Sequence, residues 1–160
     1  WSSKNFARII RFLSEKKGIQ VIISGGSSQI EKKYSDDFNS EVFNKNVLNL
    51  VGQTSVREMA SLVKHADFVI SPDSGPAHIA TIMGKPVIGI YSMGNPNRTG
   101  PYNSMEFVVN RYPEALLKFS KKLVEEVKWG QKVKVPEAME LVRFNDVVEK
   151  INQLINTLKK

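Results

Sequence analysis

Short β-branched or apolar runs, separated by segments long enough to be helices, constrain this chain more than any other feature. The runs fall at residues 19–23, 47–51, 67–71 and 86–91, with a shorter fifth at 106–110. Between them, amphipathic stretches repeat at helical spacing. Phe6, Ile9, Ile10 and Leu13 sit at i, i+3, i+4 and i+7, and that helix stops at Glu15-Lys16-Lys17 and Gly18. A polar helical stretch runs through Phe38, and a third helix over residues 55–65 turns Val56, Met59, Ala60 and Val63 to one side. Ser55 followed by Glu58 forms a capping box at its start. A fourth helix covers residues 76–83. Strands separated by whole helices cannot close as hairpins, so they are expected to pair in parallel through crossover connections.

That pattern defines an α/β chain: one Rossmann-like, three-layer domain over residues 1–160 with a mostly parallel sheet. The last third is less regular. A Lys-rich helix is expected from about Glu114 to Val127, then a loop through Trp129-Gly130. A terminal helix follows, with Asn145 as cap and Val147, Val148, Ile151, Leu154, Ile155 and Leu158 as its buried stripe. No apolar run approaches the roughly 20 residues of a spanning helix. The absence of cysteine excludes a disulfide framework and a thiolate nucleophile, which makes a cytoplasmic setting the simpler expectation. Opening at Trp1 and running straight into a helix, the chain is expected to be a piece of a longer protein.

In open parallel sheets, ligands bind beyond the carboxyl ends of the strands, where helix N-termini present unpaired amides and partial positive charge. Three such ends are polar and carry glycine: Ser24 to Ser28, Gly52 to Ser55, and Ser71 to Gly75. The third is the most informative. A buried strand delivers Asp73 to the surface, Ser74 or Gly75 caps the next helix, Pro76 suits its first turn, and Gly75 lets a phosphate approach bare backbone. His78 lies on the opening turn, within reach of a phosphate or a sugar hydroxyl. The same residues equally fit a plain helix cap with a satisfied imidazole. Ser74 lacks the flanking glycines of a nucleophile elbow, and neither a Walker A cradle nor G-x-G-x-x-G opens a helix. His65 and His78 have no clustered carboxylates at ligand spacing, so no metal site is expected.

The formal net charge of +7 favours acidic partners without choosing among them. Lys118, Lys121, Lys122, Lys128, Lys132 and Lys134 concentrate in the irregular last third. Such a run is ordinarily a solvated helix face, and its functional alternative is docking on an anionic membrane leaflet. Nucleic acid is not expected as a partner, because the run lacks interleaved aromatics and no helix-turn-helix is evident.

The stretch from Ala66 to Tyr91 contains Asp73-Ser74-Gly75-Pro76-Ala77-His78-Ile79-Ala80 and then Gly84-Lys85-Pro86. This is similar to D-[ST]-G-x-x-H-x-A followed by G-K-P, the signature of family 9 glycosyltransferases, the bacterial ADP-heptose:lipopolysaccharide heptosyltransferases. Flanking matches are Trp1 with Phe6-Ala7, Ser24-Gly25-Gly26 with Glu31, Asn49 to Gly52, Asn95-Pro96 through Gly100-Pro101-Tyr102, and Ala138-Met139 through Val147. The resemblance covers nearly the whole chain outside about Arg111 to Val135.

The resemblance implies the C-terminal, sugar-nucleotide-binding half of a GT-B enzyme. Carried over by position, Asp73 would bind the heptose hydroxyls, while the backbone of Ser74 and Gly75, with His78, would face the diphosphate. Main chain at Thr54 and Ser55 would meet the adenine, and Glu31 the ribose. The family's catalytic base lies in its N-terminal half and a phosphate-binding lysine just upstream of Trp1, so no catalytic residue is expected here and the fragment should bind without turning over. No cofactor is expected: the missing D-x-D motif fits a departing diphosphate stabilised by helix dipole and basic side chains. Implied partners are ADP-heptose or a similar sugar nucleotide, a lipopolysaccharide core acceptor through the other half, and peripheral contact with the anionic inner membrane. Two alternatives stay open, a non-catalytic nucleotide-binding domain and a transferase using another sugar nucleotide.

Overall fold

The computed structural model describes residues 1–16, 18–41 and 45–159, the side chains of residues 40 and 41 excepted. They form two compact units, residues 2–59 and residue 1 with 60–160. All strand pairings among the described residues are parallel.

In the first unit α1 (Ser3–Ser14) starts at Ser2, whose hydroxyl accepts from the Asn5 amide. Its buried side carries Ala7, Ile9, Ile10, Leu13 and Ser14; Ile9, Ile10 and Leu13 are those expected from spacing, whereas Phe6 is only partly buried. Gly18 follows with φ of 83°, the left-handed conformation that glycine tolerates best, while Lys17 in the expected helix stop lies outside the described residues. Strands β1 (Val21–Ile23) and β2 (Val47–Asn49) pair with Val21 opposite Val47. Helix α2 (Gln29–Glu41) packs Phe38 against Ala7 and Ile10, with Phe6 and Tyr34 meeting the Phe38 ring edge-on at 6.3 and 6.2 Å. Helix α3 (Val56–His65) begins in this unit and ends in the second.

The second unit contains a three-stranded sheet in the order β3 (Val69–Pro72), β4 (Val87–Tyr91), β5 (Val109–Asn110). Every residue of β4 is buried, as expected of a near-continuous apolar run in a central parallel strand. Helix α4 (Gly75–Ile82) connects β3 to β4, burying Ala77 and Ala80. α5 (Pro96–Thr99) is a single turn capped by Asn95, whose side chain accepts from the Asn97 amide at 3.0 Å.

Three expectations are corrected here. The fifth strand is shorter than residues 106–110, because Tyr102–Phe107 winds into a 3-10 helix whose buried Ser104 hydroxyl takes the Val87 amide at 3.1 Å. The Lys-rich helix does not form as one piece. α6 (Tyr112–Ala115) passes into a wide π turn over Leu116–Ser120, which ends at Lys121 in a left-handed conformation with φ of 54°. A non-glycine residue there is uncommon and stops helical continuation, and only a short 3-10 turn, Val124–Glu126, follows. Finally, Asn145 does not cap α7 (Phe144–Leu158): it sits inside the first turn, and Asp146 accepts from the Arg143 amide at 3.2 Å instead. Asp146 also takes the Arg111 guanidinium at 2.8 Å, which anchors the start of that helix. Val147, Ile151 and Leu154 are buried as expected, but Leu158 is 49% exposed. No helix among the described residues is long and apolar enough to cross a membrane.

Candidate functional site

β3 ends at Pro72, and the chain turns through Asp73 and Ser74 into α4. Ser74 occupies the N-cap position with extended backbone, φ −153° and ψ 167°, yet its hydroxyl caps nothing. It lies 2.8 Å from the hydroxyl of buried Ser71, and Ser71 also donates to the Pro72 carbonyl at 3.1 Å. Pro76 sits in the first turn, where its missing N–H is not needed. Space opens around Gly75, since a Cβ there would meet nothing within 4 Å. The start of α4 is therefore uncapped by any side chain and approachable, the arrangement that suits an anion.

Asp73 stands ahead of this helix end with its side chain 23% exposed. One carboxylate oxygen, Oδ1, lies 4.0 Å from His78 Nε2, and Oδ2 lies 3.8 Å from Lys132 Nζ. Gly94 backs the carboxylate so closely that a Cβ there would come within 3.0 Å of Oδ2. Burial first, and then the negative charge of Asp73, pushes the Tyr91 phenol well above its ordinary range. Tyr91 stays a neutral donor, bonded to the Thr99 carbonyl at 3.1 Å. Beside Asp73, a shallow recess is lined by Gly94, Asn95, Arg98, Trp129, Gly130 and Lys132.

Asp73, Ser74, Gly75 and His78 are thus brought together at one strand end, as expected from their spacing. Lys132 and Gly94 belong beside them and were not anticipated. The available signal was the alternation Lys132-Val133-Lys134-Val135, which marks an extended segment with lysines on the side away from buried Val133.

Glu31, Thr54 and Ser55 lie in the first unit. Glu31 is engaged with its own turn: Oε1 accepts from the Gly26 amide at 2.7 Å and Oε2 from the Ser28 hydroxyl at 2.6 Å. The Ser28 hydroxyl, ahead of the Gly26 amide, holds the Glu31 carboxyl below its ordinary range. A lowered folded-state value makes this a contribution that is complete above the unfolded carboxylate value and disappears as pH falls through the folded one. Urea unfolding of wild type and Glu31→Gln should accordingly differ most near about pH 7 and converge toward about pH 3. A constant difference across that range would contradict the assignment. Ser55 forms the expected box with Glu58, whose Oε2 accepts from both the Ser55 amide and hydroxyl at 2.7 Å. Those bonds hold the Glu58 carboxyl low as well, the backbone one most.

The sequence pattern of glycosyltransferase family 9 (heptosyltransferase) matches residues 1–128. The lipopolysaccharide core heptosyltransferase OpsX of Haemophilus influenzae is 32% identical over 154 residues, which is 96% of this chain and 44% of that protein. Lipopolysaccharide heptosyltransferase 3 of Escherichia coli is 31% identical over 91 residues, 57% of this chain and 26% of that protein. The solved ADP-heptose lipopolysaccharide heptosyltransferase II of E. coli superposes with a TM-score of 0.72 at 18% identity, covering 100% of this chain and 43% of that one. The E. coli heptosyltransferase WaaC with ADP gives 0.66 at 18% identity, over 96% of this chain and 39% of that one. At that identity the two structures speak to fold, an α/β architecture with parallel sheets that matches part of these GT-B enzymes. The chain spans less than half the length of each relative named here. With the family pattern running through most of the sequence and the Asp73-Ser74-Gly75 strand end at its centre, the chain belongs to glycosyltransferase family 9.

Proposed function

We propose that this chain is the donor-binding half of an inverting heptosyltransferase, which takes heptose from ADP-heptose to the lipopolysaccharide inner core. One observation carries the reading: a largely buried carboxylate, Asp73, stands directly ahead of a helix N-terminus that no side chain caps. The diphosphate rests against the amide end of α4, and Asp73 takes the sugar hydroxyls. An acceptor hydroxyl, deprotonated by a base from the part of the relatives that this chain does not span, attacks the anomeric carbon. The bond from that carbon to the diphosphate oxygen breaks, and ADP departs with the electron pair. The helix dipole and nearby cations oppose the charge that builds on the leaving group, while the site's binding energy aligns the reacting atoms. Main chain at Thr54 and Ser55 is assigned to adenine and Glu31 to ribose. In this reading the chain acts as one nucleotide-sugar-binding domain, working in the cytoplasm against the inner membrane. The exposed lysines at 118, 121, 122, 128 and 134 offer that contact.

Calorimetric titration of the chain with ADP, UDP and GDP tests the reading. ADP is expected to bind at least about tenfold more tightly than the other two, a difference of about 1.4 kcal/mol. Absence of binding by all three would overturn it, and preference for UDP or GDP would move the chain to another sugar nucleotide. Retained ADP binding without transfer of heptose, once the remainder of the enzyme is supplied, would identify a non-catalytic module.

A further inference from the structure

The basic segment from Arg111 to Val135 is irregular, yet the turn that closes it is fixed at several points. The Val133 amide donates to the Met93 carbonyl at 2.9 Å. Buried Tyr112 donates its hydroxyl to the Gln131 carbonyl at 2.8 Å. The Val133 side chain is itself buried with Tyr112, Leu116 and Ala138, and Met93 packs against that cluster. Lys132 therefore sits between two residues whose backbones are held, and its ammonium is directed to Asp73 although the side chain is 54% exposed. It lies beyond residue 128, where the match to the family pattern ends.

A carboxylate immediately ahead of an anion seat carries a cost, because like charges repel strongly where water is partly excluded. Around Asp73 that charge is met on both oxygens: His78 faces Oδ1 and Lys132 faces Oδ2, while Gly94, by lacking a Cβ, leaves Oδ2 the room it occupies.

We propose that Lys132 is a positioning residue of the donor site, acting through Asp73 as its counter-ion. It cancels the repulsion between the carboxylate and the diphosphate, and it holds the two oxygens in the orientation that sugar hydroxyls meet. The inference rests on the donor-site reading given above. Its signature is coupling: the lysine matters because the aspartate is charged.

The test is affinity for ADP-heptose, with ADP titrated alongside, measured by calorimetry for wild type, Lys132→Met, Asp73→Asn and the double variant, with Lys132→Arg as the conservative control. Lys132→Met is expected to weaken ADP-heptose binding about fivefold in the wild-type background but less than about twofold beside Asp73→Asn, where no carboxylate remains to be oriented. Lys132→Arg should stay within about twofold of wild type, since the charge is kept. The same loss in both backgrounds would overturn the proposal, because the lysine would then touch the nucleotide itself or support only the fold. No loss in the wild-type background would overturn it too. Failure of wild type to bind ADP defeats the donor-site reading, whereas binding that ignores Lys132→Met defeats this inference alone.

Discussion

Asp73→Ala is expected to lower affinity for the sugar nucleotide about a hundredfold while leaving ADP affinity within about threefold of wild type. The asymmetry follows from where the carboxylate sits. It is mostly withdrawn from water, flanked by His78 and Lys132 and backed by Gly94, so its oxygens are already oriented when a ligand arrives. Hydrogen bonds to a charged acceptor contribute about 1.5–3 kcal/mol each, and two sugar hydroxyls on one carboxylate reach about 3 kcal/mol after desolvation. ADP has no sugar at that position and loses nothing by the change. With Lys132 beside it as counter-ion, the aspartate adds little net repulsion toward the diphosphate, so its removal changes ADP affinity little. The fold should be unaffected, because the groups left behind, His78 and Lys132, are half exposed and return to water. Parallel titrations with donor and ADP, checked by thermal melting, decide the matter. Equal losses for the two ligands would remove Asp73 from the sugar site.

The strand ends were legible because their chemistry is local. Helix α4 and its approach announce themselves in Pro72-Asp73-Ser74-Gly75-Pro76, where a strand must stop and a helix must start within five residues. The capping box of Ser55 and Glu58 formed for the same reason, through contacts three residues apart. What spacing could not show was which hydroxyl goes where. Ser74 looks like a helix cap by type, but the buried Ser71 hydroxyl offers a competing partner at 2.8 Å, which leaves the amides of α4 without a side-chain cap. Glu31, assigned to the ribose in the proposed function, also holds its own turn by accepting from the Gly26 amide and the Ser28 hydroxyl, a second task that residue type alone did not show. The alternation around Lys132 gave its extended segment but not its partner, for a different reason. Its partner is 59 residues away in sequence and the two meet through tertiary structure alone. The same holds for the basic segment as a whole, whose lysines suggest a solvated helix while Tyr112, Ala115, Leu116 and Val133 are taken up by the core.

That division of the basic segment has a measurable consequence, the largest expected effect on stability. Leu116 and Leu117 are adjacent and chemically identical, yet Leu116 is 0% exposed and Leu117 is 55% exposed. Leu116 packs with Tyr112, Ala115, Val133 and Ala138. Two of those neighbours are alanines, which have no longer side chain to swing into a vacated space. Tyr112 is fixed by its hydroxyl bond to the Gln131 carbonyl, and Val133 by its amide bond to the Met93 carbonyl. A cavity opened by Leu116→Ala therefore collapses poorly and should cost about 3–4 kcal/mol, the upper part of the usual range for such truncations. Leu117→Ala removes a side chain that is largely in water and should cost less than about 0.5 kcal/mol. Urea unfolding of the two variants gives the comparison, with an unchanged slope indicating that the midpoint shift reports stability. Losses of similar size would mean that the segment lies on the surface as a solvated helix. The structure leads to the opposite result, because successive side chains of a helical turn point about 100° apart, which puts Leu116 in the core and leaves Leu117 outside.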